Sequence, residues 1–447
     1  MKYFSFKSLY RNQEWISPAY VGVDANGIIQ YCSSQKPEVG SIEYVSGVAL
    51  PGFYNAHSHA FQYAMAGMAE IHPIGIKDDF WSWREAMYAC ALRINPSQMQ
   101  AVATMLYAEM LRHGYTHVAE FHYLHHDSNG KPYANLAEMG ERLVEAAHDA
   151  GIRITLIPVF YKEGGFNKPA QKNQIRFISS SLDDYFKLLE SSEAITKRNT
   201  MASLGYGVHS LRAVNPSDVI KTFNQGPQHI PFHLHIAEQQ QEVEDALAHL
   251  GCRPVTWLLD NLSEDNRVHV VHATHLTEDE VTRLAKSKAS VILCPATEGN
   301  LGDGFFSLKS FTEQSGSWCI GSDSQINLNP LEDLRWLDYG HRLNSHQRNT
   351  FWNSADVFMQ QILRTGRNAV GLTSAGLQVG DPLDVAVFDA NAPLLAQTDE
   401  KFFLSTIMYT SPTYYGTMVA GKWKVIHGRH VHEEHIRKNF LAANVWS

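Results

Sequence analysis

From residue 48 onward the chain repeats one unit eight times: a short apolar, β-branched run, a loop, and a stretch of helical periodicity. The runs fall at 48–57, 115–122, 152–160, 204–209, 231–236, 267–272, 289–294 and 318–323. The helices between them carry recognisable punctuation. Asn215-Pro216 supplies a cap and a first-turn proline, Thr277 with Glu280 a capping box, and Gly114 and Gly151 act as stops; Asn135 with Glu138 comes close to a second box. Strands that alternate with helices need crossovers and so pair in parallel, and eight such units close into a (β/α)8 barrel. The expected fold class is α/β.

Residues 1–47 lack that rhythm. Tyr20-Val-Gly-Val-Asp, an Asn26-Gly27 corner and Ile28-Ile-Gln-Tyr predict a hairpin. Past 375, the runs 384–389 and 417–426 alternate like strands but are too short to form a core alone. We therefore expect 1–47 and 376–447 to build one small β-sandwich-like domain from both chain ends, with 48–375 as the barrel. One connection, 161–181, has no periodicity; in a compact domain a loop of that length is either disordered or a functional lid.

A formal charge of −9 argues against a nucleic-acid partner, because phosphate neutralisation needs an excess of Lys and Arg. The five cysteines are scattered, without a C-x-x-C pair, which favours a reducing compartment. No apolar run reaches the length of a membrane span, and Met1-Lys-Tyr-Phe-Ser-Phe-Lys lacks the apolar core of a secretory signal. The expectation is a cytoplasmic protein with a small-molecule substrate and no membrane partner.

In such barrels chemistry gathers at the C-terminal ends of the strands. The first run delivers His57 and His59, whose side chains share one face of an extended backbone. With 23 histidines in the chain, one His-x-His pair alone is weak. His235 ends the fifth run, His272 the sixth and Asp323 the eighth, and Glu238 follows His235 by three. Individually, each could be a core histidine or a helix cap; jointly they point to a metal site. His57, His59, His235 and Asp323 form an N3O set suited to one Zn2+ with a position open to water, while Fe2+ and Mn2+ remain compatible with the carboxylate. A metal-bound water falls in pKa from about 15.7 to about 7 in the best cases. Asp323 can accept its proton, Glu238 can carry protons to a substrate nitrogen, and His272 can polarise the electrophile.

The segments Pro51-Gly-Phe-Tyr-Asn-Ala-His-Ser-His, His235-Ile-Ala-Glu, His272-Ala-Thr-His and Gly321-Ser-Asp-Ser resemble the amidohydrolase superfamily, in its mononuclear deaminase branch. Gly207-Val-His-Ser offers no lysine for carbamylation, unlike the dinuclear branches. Within the branch, Phe80-Trp-Ser-Trp-Arg-Glu-Ala-Met-Tyr, Ala119-Glu-Phe-His-Tyr-Leu-His-His, Val208-His-Ser-Leu-Arg-Ala-Val and Glu298-Gly-Asn-Leu-Gly-Asp-Gly-Phe-Phe are similar to the formimidoylglutamate deiminases of histidine degradation. That resemblance implies hydrolysis of a formimino group to a formyl group and ammonia. It also implies that Gln62, Tyr123 and His209 line the pocket, and that the chain is a homodimer. Arg84 and Arg212 flank the expected mouth. Each could be an ordinary surface ion pair, but two guanidinium forks near a metal suit a dicarboxylate substrate. An aminohydrolase of a purine, pyrimidine or triazine ring is the alternative, and a scaffold without catalysis a more distant one.

Overall fold

A computed structural model describes residues 1–71, 79–262, 265–374 and 376–446. The barrel is there, with strands Phe53–Ser58, Tyr115–His122, Arg153–Phe160, Tyr206–Val208, Phe232–Ile236, Val268–His272, Ser290–Leu293 and Ser317–Ile320. Consecutive strands pair in parallel in chain order. The fourth is broken at Gly205, and its upstream piece, Ala202–Leu204, also pairs with the third. Nearly every strand residue is buried, as expected where helices cover the outside and side chains fill the inside.

Closure between first and last strands depends on close backbone approach. A Cβ on Gly321 would sit 2.6 Å from the Cβ of His57, so only glycine lets the strands meet there. Past that contact, Ser58 and Asp323 form a parallel bridge. Asn55 ties the same seam, its Oδ1 accepting from the Ser322 amide at 3.0 Å and its Nδ2 donating to the Ser322 hydroxyl at 2.7 Å.

The chain ends form a second, mixed sheet. Lys2–Arg11 runs parallel to Glu43–Pro51 and antiparallel to Ala19–Val23, while Val385–Asp389 pairs antiparallel with Glu43–Pro51. Phe4, Phe6, Val21, Val45, Val385, Val387 and Met418 give it a core of its own. Ala19–Val23 and Ile29–Ser33 make the hairpin expected around Asn26-Gly27.

Three local expectations need correction. The run from Val48 to Pro51 ends a small-sheet strand, and the first barrel strand begins only at Phe53. Apolar residues flank the junction on both sides, Val48 to Leu50 before it and Phe53-Tyr54 after it, so hydrophobicity does not mark the change of sheet. The stretch 417–426 is no single run but a hairpin, Tyr414–Val419 against Lys422–Ile426. It turns at Ala420 (φ 50°) and Gly421 (φ 64°), the paired positive φ values that suit strand twist. Asn135 caps no helix: Glu138–Ala150 starts from Ala137, and the Asn135 amide instead donates to Glu141 at 2.6 Å.

The connection 161–181 is ordered, with one short turn at Lys172–Gln174. Arg176, almost wholly buried, fastens it by donating to the carbonyls of His126 (2.8 Å), Ile94 (2.7 Å) and Ala91. Among the described residues, no helix is long and apolar enough to cross a membrane.

Candidate active site

His57, His59, His235 and Asp323 converge at the C-terminal mouth of the barrel, with one ligand atom from each lying within 4.8 Å of all the others. His57 Nε2 is 3.1 Å from His59 Nε2 and 3.0 Å from His235 Nε2. Asp323 Oδ1 lies 3.2 Å from His59 Nε2 and 3.6 Å from His57 Nε2. A tetrahedral ion with bonds of 2.0–2.1 Å would set such nitrogens about 3.3 Å apart.

The tautomers sharpen the case for a cation. His59 Nδ1 faces the Phe121 carbonyl at 2.9 Å and His235 Nδ1 the His209 carbonyl at 3.0 Å. A carbonyl only accepts, so both Nδ1 atoms carry hydrogen and both Nε2 atoms present lone pairs. Between them stands His57 Nε2, which can offer a hydrogen to only one. Burial, followed by the neighbouring histidines, pushes His57 and His235 well below the usual imidazole range, so both are neutral. Three imidazoles and a carboxylate packed around one point fit a divalent ion.

Beneath the histidine pair sits a carboxylate that the sequence reading passed over. Glu120 accepts from the Ser58 hydroxyl (2.7 Å), the Ala60 amide (2.5 Å) and the Tyr107 hydroxyl (3.1 Å), fixing the backbone on either side of His59. Burial lifts it to about 7 against those donors.

The remaining groups ring the same point. His272 Nε2 lies 3.7 Å from Glu238 Oε1 and 3.8 Å from Asp323 Oδ2, and its Nδ1 lies 3.3 Å from Glu298 Oε1. Burial opposes its charge, but Glu238, Glu298 and Asp323 outweigh that and lift His272 to about 10. Glu298 was quoted in the sequence without a role; it stands in the helix Pro295–Leu301 and also accepts from the Cys294 amide at 2.9 Å. His272 (φ 71°), Asp323 (φ 47°) and Ala237 (φ 49°) all adopt left-handed backbone. Non-glycine residues rarely do so, and such strain clusters at functional sites.

One cavity joins this cluster to every pocket residue expected from the sequence. Its wall includes His59, His235, Glu238, His272 and Asp323, and also Gln62, Arg84, Tyr123, His209 and Arg212. Gln62 Nε2 donates to the Tyr123 hydroxyl at 3.1 Å, and its Oε1 is buried without a partner. Arg84 stacks on Trp81, 4.3 Å from ring centre to guanidinium, and its Nε is buried and unbonded. Arg212 is more engaged than a bare fork: Nη2 is 3.3 Å from Glu238 Oε2, and Nε is 3.7 Å from Glu242 Oε2. Glu242, in the first turn of Gln240–Leu250, accepts from the amides of Ala237 (3.2 Å) and Glu238 (3.3 Å). It thereby holds the Glu238 backbone and faces Arg212 at once, and its spacing of four from Glu238 was the available sequence signal. Gly164, Gly165, Phe166, Lys168 and Gln171 of the long connection cover the cavity.

The amidohydrolase family matches residues 48–424. The formimidoylglutamate deiminase of Pseudomonas aeruginosa is 41% identical over 437 residues, spanning 96% of this chain and 95% of that protein. A 5-methylthioadenosine/S-adenosylhomocysteine deaminase of Halobacterium salinarum is 25% identical over 364 residues, 79% of this chain and 76% of that one. Among solved structures, an amidohydrolase from Brucella melitensis superposes with a TM-score of 0.93 at 36% identity, over 100% of both chains. An adenosine deaminase from Xanthomonas campestris with bound zinc shares the fold, with a TM-score of 0.80 at 22% identity over 99% of this chain and 97% of that one.

Proposed function

This chain belongs to the amidohydrolase family, and from that premise we propose that it hydrolyses N-formimino-L-glutamate to N-formyl-L-glutamate and ammonia. One observation carries the substrate: the cavity over the His57–His59–His235–Asp323 cluster also contains Arg84 and Arg212. A flat neutral nucleobase gives two guanidinium groups no partner. A dicarboxylate gives each one a carboxylate, and the relative 41% identical along nearly the whole chain is a formimidoylglutamate deiminase.

A divalent ion held by His57, His59, His235 and Asp323, with zinc suited to the N3O set, supplies an acidified water and a polarising charge when bound. The chain's own residues then divide the remaining work. The Asp323 carboxylate, beside the attack position, accepts the proton released as water adds to the formimino carbon. Glu238 reaches between Arg212 and His272 and delivers protons to the formimino nitrogen, so that ammonia rather than its anion departs. His272, held by Glu298, steadies oxygen as negative charge gathers there. Arg84 and Arg212 bind the carboxylates, and Gln62, Tyr123 and His209 orient the chain between them. The covering segment 161–181 serves as a lid that keeps bulk water out.

The same reading makes the protein a cytoplasmic enzyme of histidine degradation that works as a homodimer. Trp336, Tyr339 and Leu343 support the dimer: they lie exposed along one side of the helix Pro330–Ser345, with Trp352 exposed beyond its end. Ammonia release from formiminoglutamate, set against a panel of purines, pyrimidines and triazines, tests the substrate. Turnover of a ring compound in place of formiminoglutamate would replace this reading with the nucleobase one.

A further inference from the structure

Behind the cavity wall lies a polar element that the reaction above does not use. Gln174 is wholly buried in the short turn of the long connection, and its Nε2 donates to two phenol oxygens: Tyr161 at 2.9 Å and Tyr88 at 3.0 Å. Its orientation is fixed from behind, because Oε1 accepts the Gln171 amide at 2.8 Å. The carbonyl end must therefore face the backbone and the NH2 end the tyrosines. Both phenol oxygens act as acceptors toward Gln174, which leaves their two hydrogens pointing elsewhere. The pair can consume one hydrogen between them. No described residue accepts the other, and both tyrosines line the substrate cavity.

Tyr161 is the better placed of the two. It begins the covering segment, and its backbone is pinned where its carbonyl accepts the Ser179 amide at 2.9 Å. Its ring packs 4.6 Å from that of His209. Burial, followed by the neighbouring Tyr88 phenol, keeps its hydroxyl protonated far above neutral pH although Arg212 and Arg84 both act on it. A neutral donor in the same cavity wall as the two guanidinium groups calls for a carboxylate that it can share with one of them.

We propose that Tyr161 is a specificity-determining residue, donating its phenolic hydrogen to one substrate carboxylate alongside an arginine, with Gln174 as the positioning residue that aims it. This rests on the formimino-dicarboxylate reading and adds to it a neutral third donor, contributed by the covering segment.

The test is Tyr161→Phe, which removes one oxygen and keeps the packed ring. kcat/KM is measured for parent and variant on N-formimino-L-glutamate, on 4-formiminobutyrate, which lacks the α-carboxylate, and on N-formimino-L-norvaline, which lacks the side-chain carboxylate. Loss of a hydrogen bond to a charged group should lower kcat/KM about ten- to a hundredfold on the full substrate, mainly through KM. On one of the two truncated substrates the variant should match the parent, which also shows that it is folded and competent. Losses equal on all three substrates, or no loss on the full one, would overturn the role of Tyr161 while parental turnover leaves the formiminoglutamate reading standing. A parent inactive on formiminoglutamate would overturn both.

Discussion

Asp323 and His57 are joined twice. The Asp323 amide donates to the His57 carbonyl at 3.0 Å, and its carboxylate stands 3.6 Å from the His57 imidazole. The residue that helps close the last barrel strand onto the first is therefore the one that supplies the carboxylate of the candidate metal set. The contact that closes the barrel thus also places this carboxylate beside the histidines.

Removal of one imidazole should consequently remove the metal without unfolding the barrel. His235→Ala is expected to lose bound metal and activity together, with its helix and strand content unchanged by circular dichroism. Metal analysis of the purified variant decides the matter: one ion per chain retained would take His235 out of the ligand set.

Proton transfer separates from metal binding at Glu238. Glu238→Gln keeps the size and can still meet Arg212, but it cannot carry a proton. Its kcat should fall roughly 10²–10⁴-fold with metal content near that of the parent. Turnover close to parental would assign the proton transfer elsewhere.

The arginine pair predicts a substrate-dependent penalty. Arg84→Met or Arg212→Met should cost about ten- to over a hundredfold in kcat/KM on the dicarboxylate, with the metal still bound. The penalty should shrink on a formimino compound lacking the matching carboxylate. For Arg212 some loss should persist on every substrate, because the same guanidinium also meets Glu238 and Glu242. Equal penalties on all substrates for Arg84→Met would remove it from carboxylate binding.

Glu120 predicts a pH dependence of stability in the metal-free protein. Its carboxyl titrates near 7 when folded, against an ordinary 4.5. Between those values the folded chain keeps a proton that the unfolded chain has released. This group therefore makes the fold lose stability as pH rises through that window, by about 3 kcal/mol in all. Glu120→Gln does not titrate, so its unfolding free energy should gain on the parent's as pH rises from 5 to 7.5. Urea melts of chelator-treated protein across that range measure the difference, and parallel curves would contradict it.

How much of this was legible in the sequence depended on where each residue sits. His57, His59, His235 and His272 close short apolar runs, so strand periodicity and the barrel's polarity exposed them together. Glu242 and Glu298 were less visible because both fall in first turns of helices, where acidic residues are ordinary partners of the helix dipole. Glu120 hides inside a strand between Ala119 and Phe121, where nothing in the sequence marks it as more than a buried neighbour. Tyr161 and Gln174 lie on a connection without periodicity, and only packing reveals that they meet. The change of sheet between Leu50 and Phe53 was missed for a related reason: apolar residues stand on both sides of it, and only Gly52 separates the two strands.

The central claim is the reaction itself, and one measurement addresses it directly. The metal-loaded protein is incubated with N-formimino-L-glutamate, ammonia is quantified, and the organic product is identified by mass. The account predicts N-formyl-L-glutamate and ammonia in equal amounts, with turnover abolished by chelation and restored by a divalent ion. Intact formiminoglutamate after prolonged incubation with metal-loaded protein, or glutamate and formamide in place of the formyl product, would contradict it.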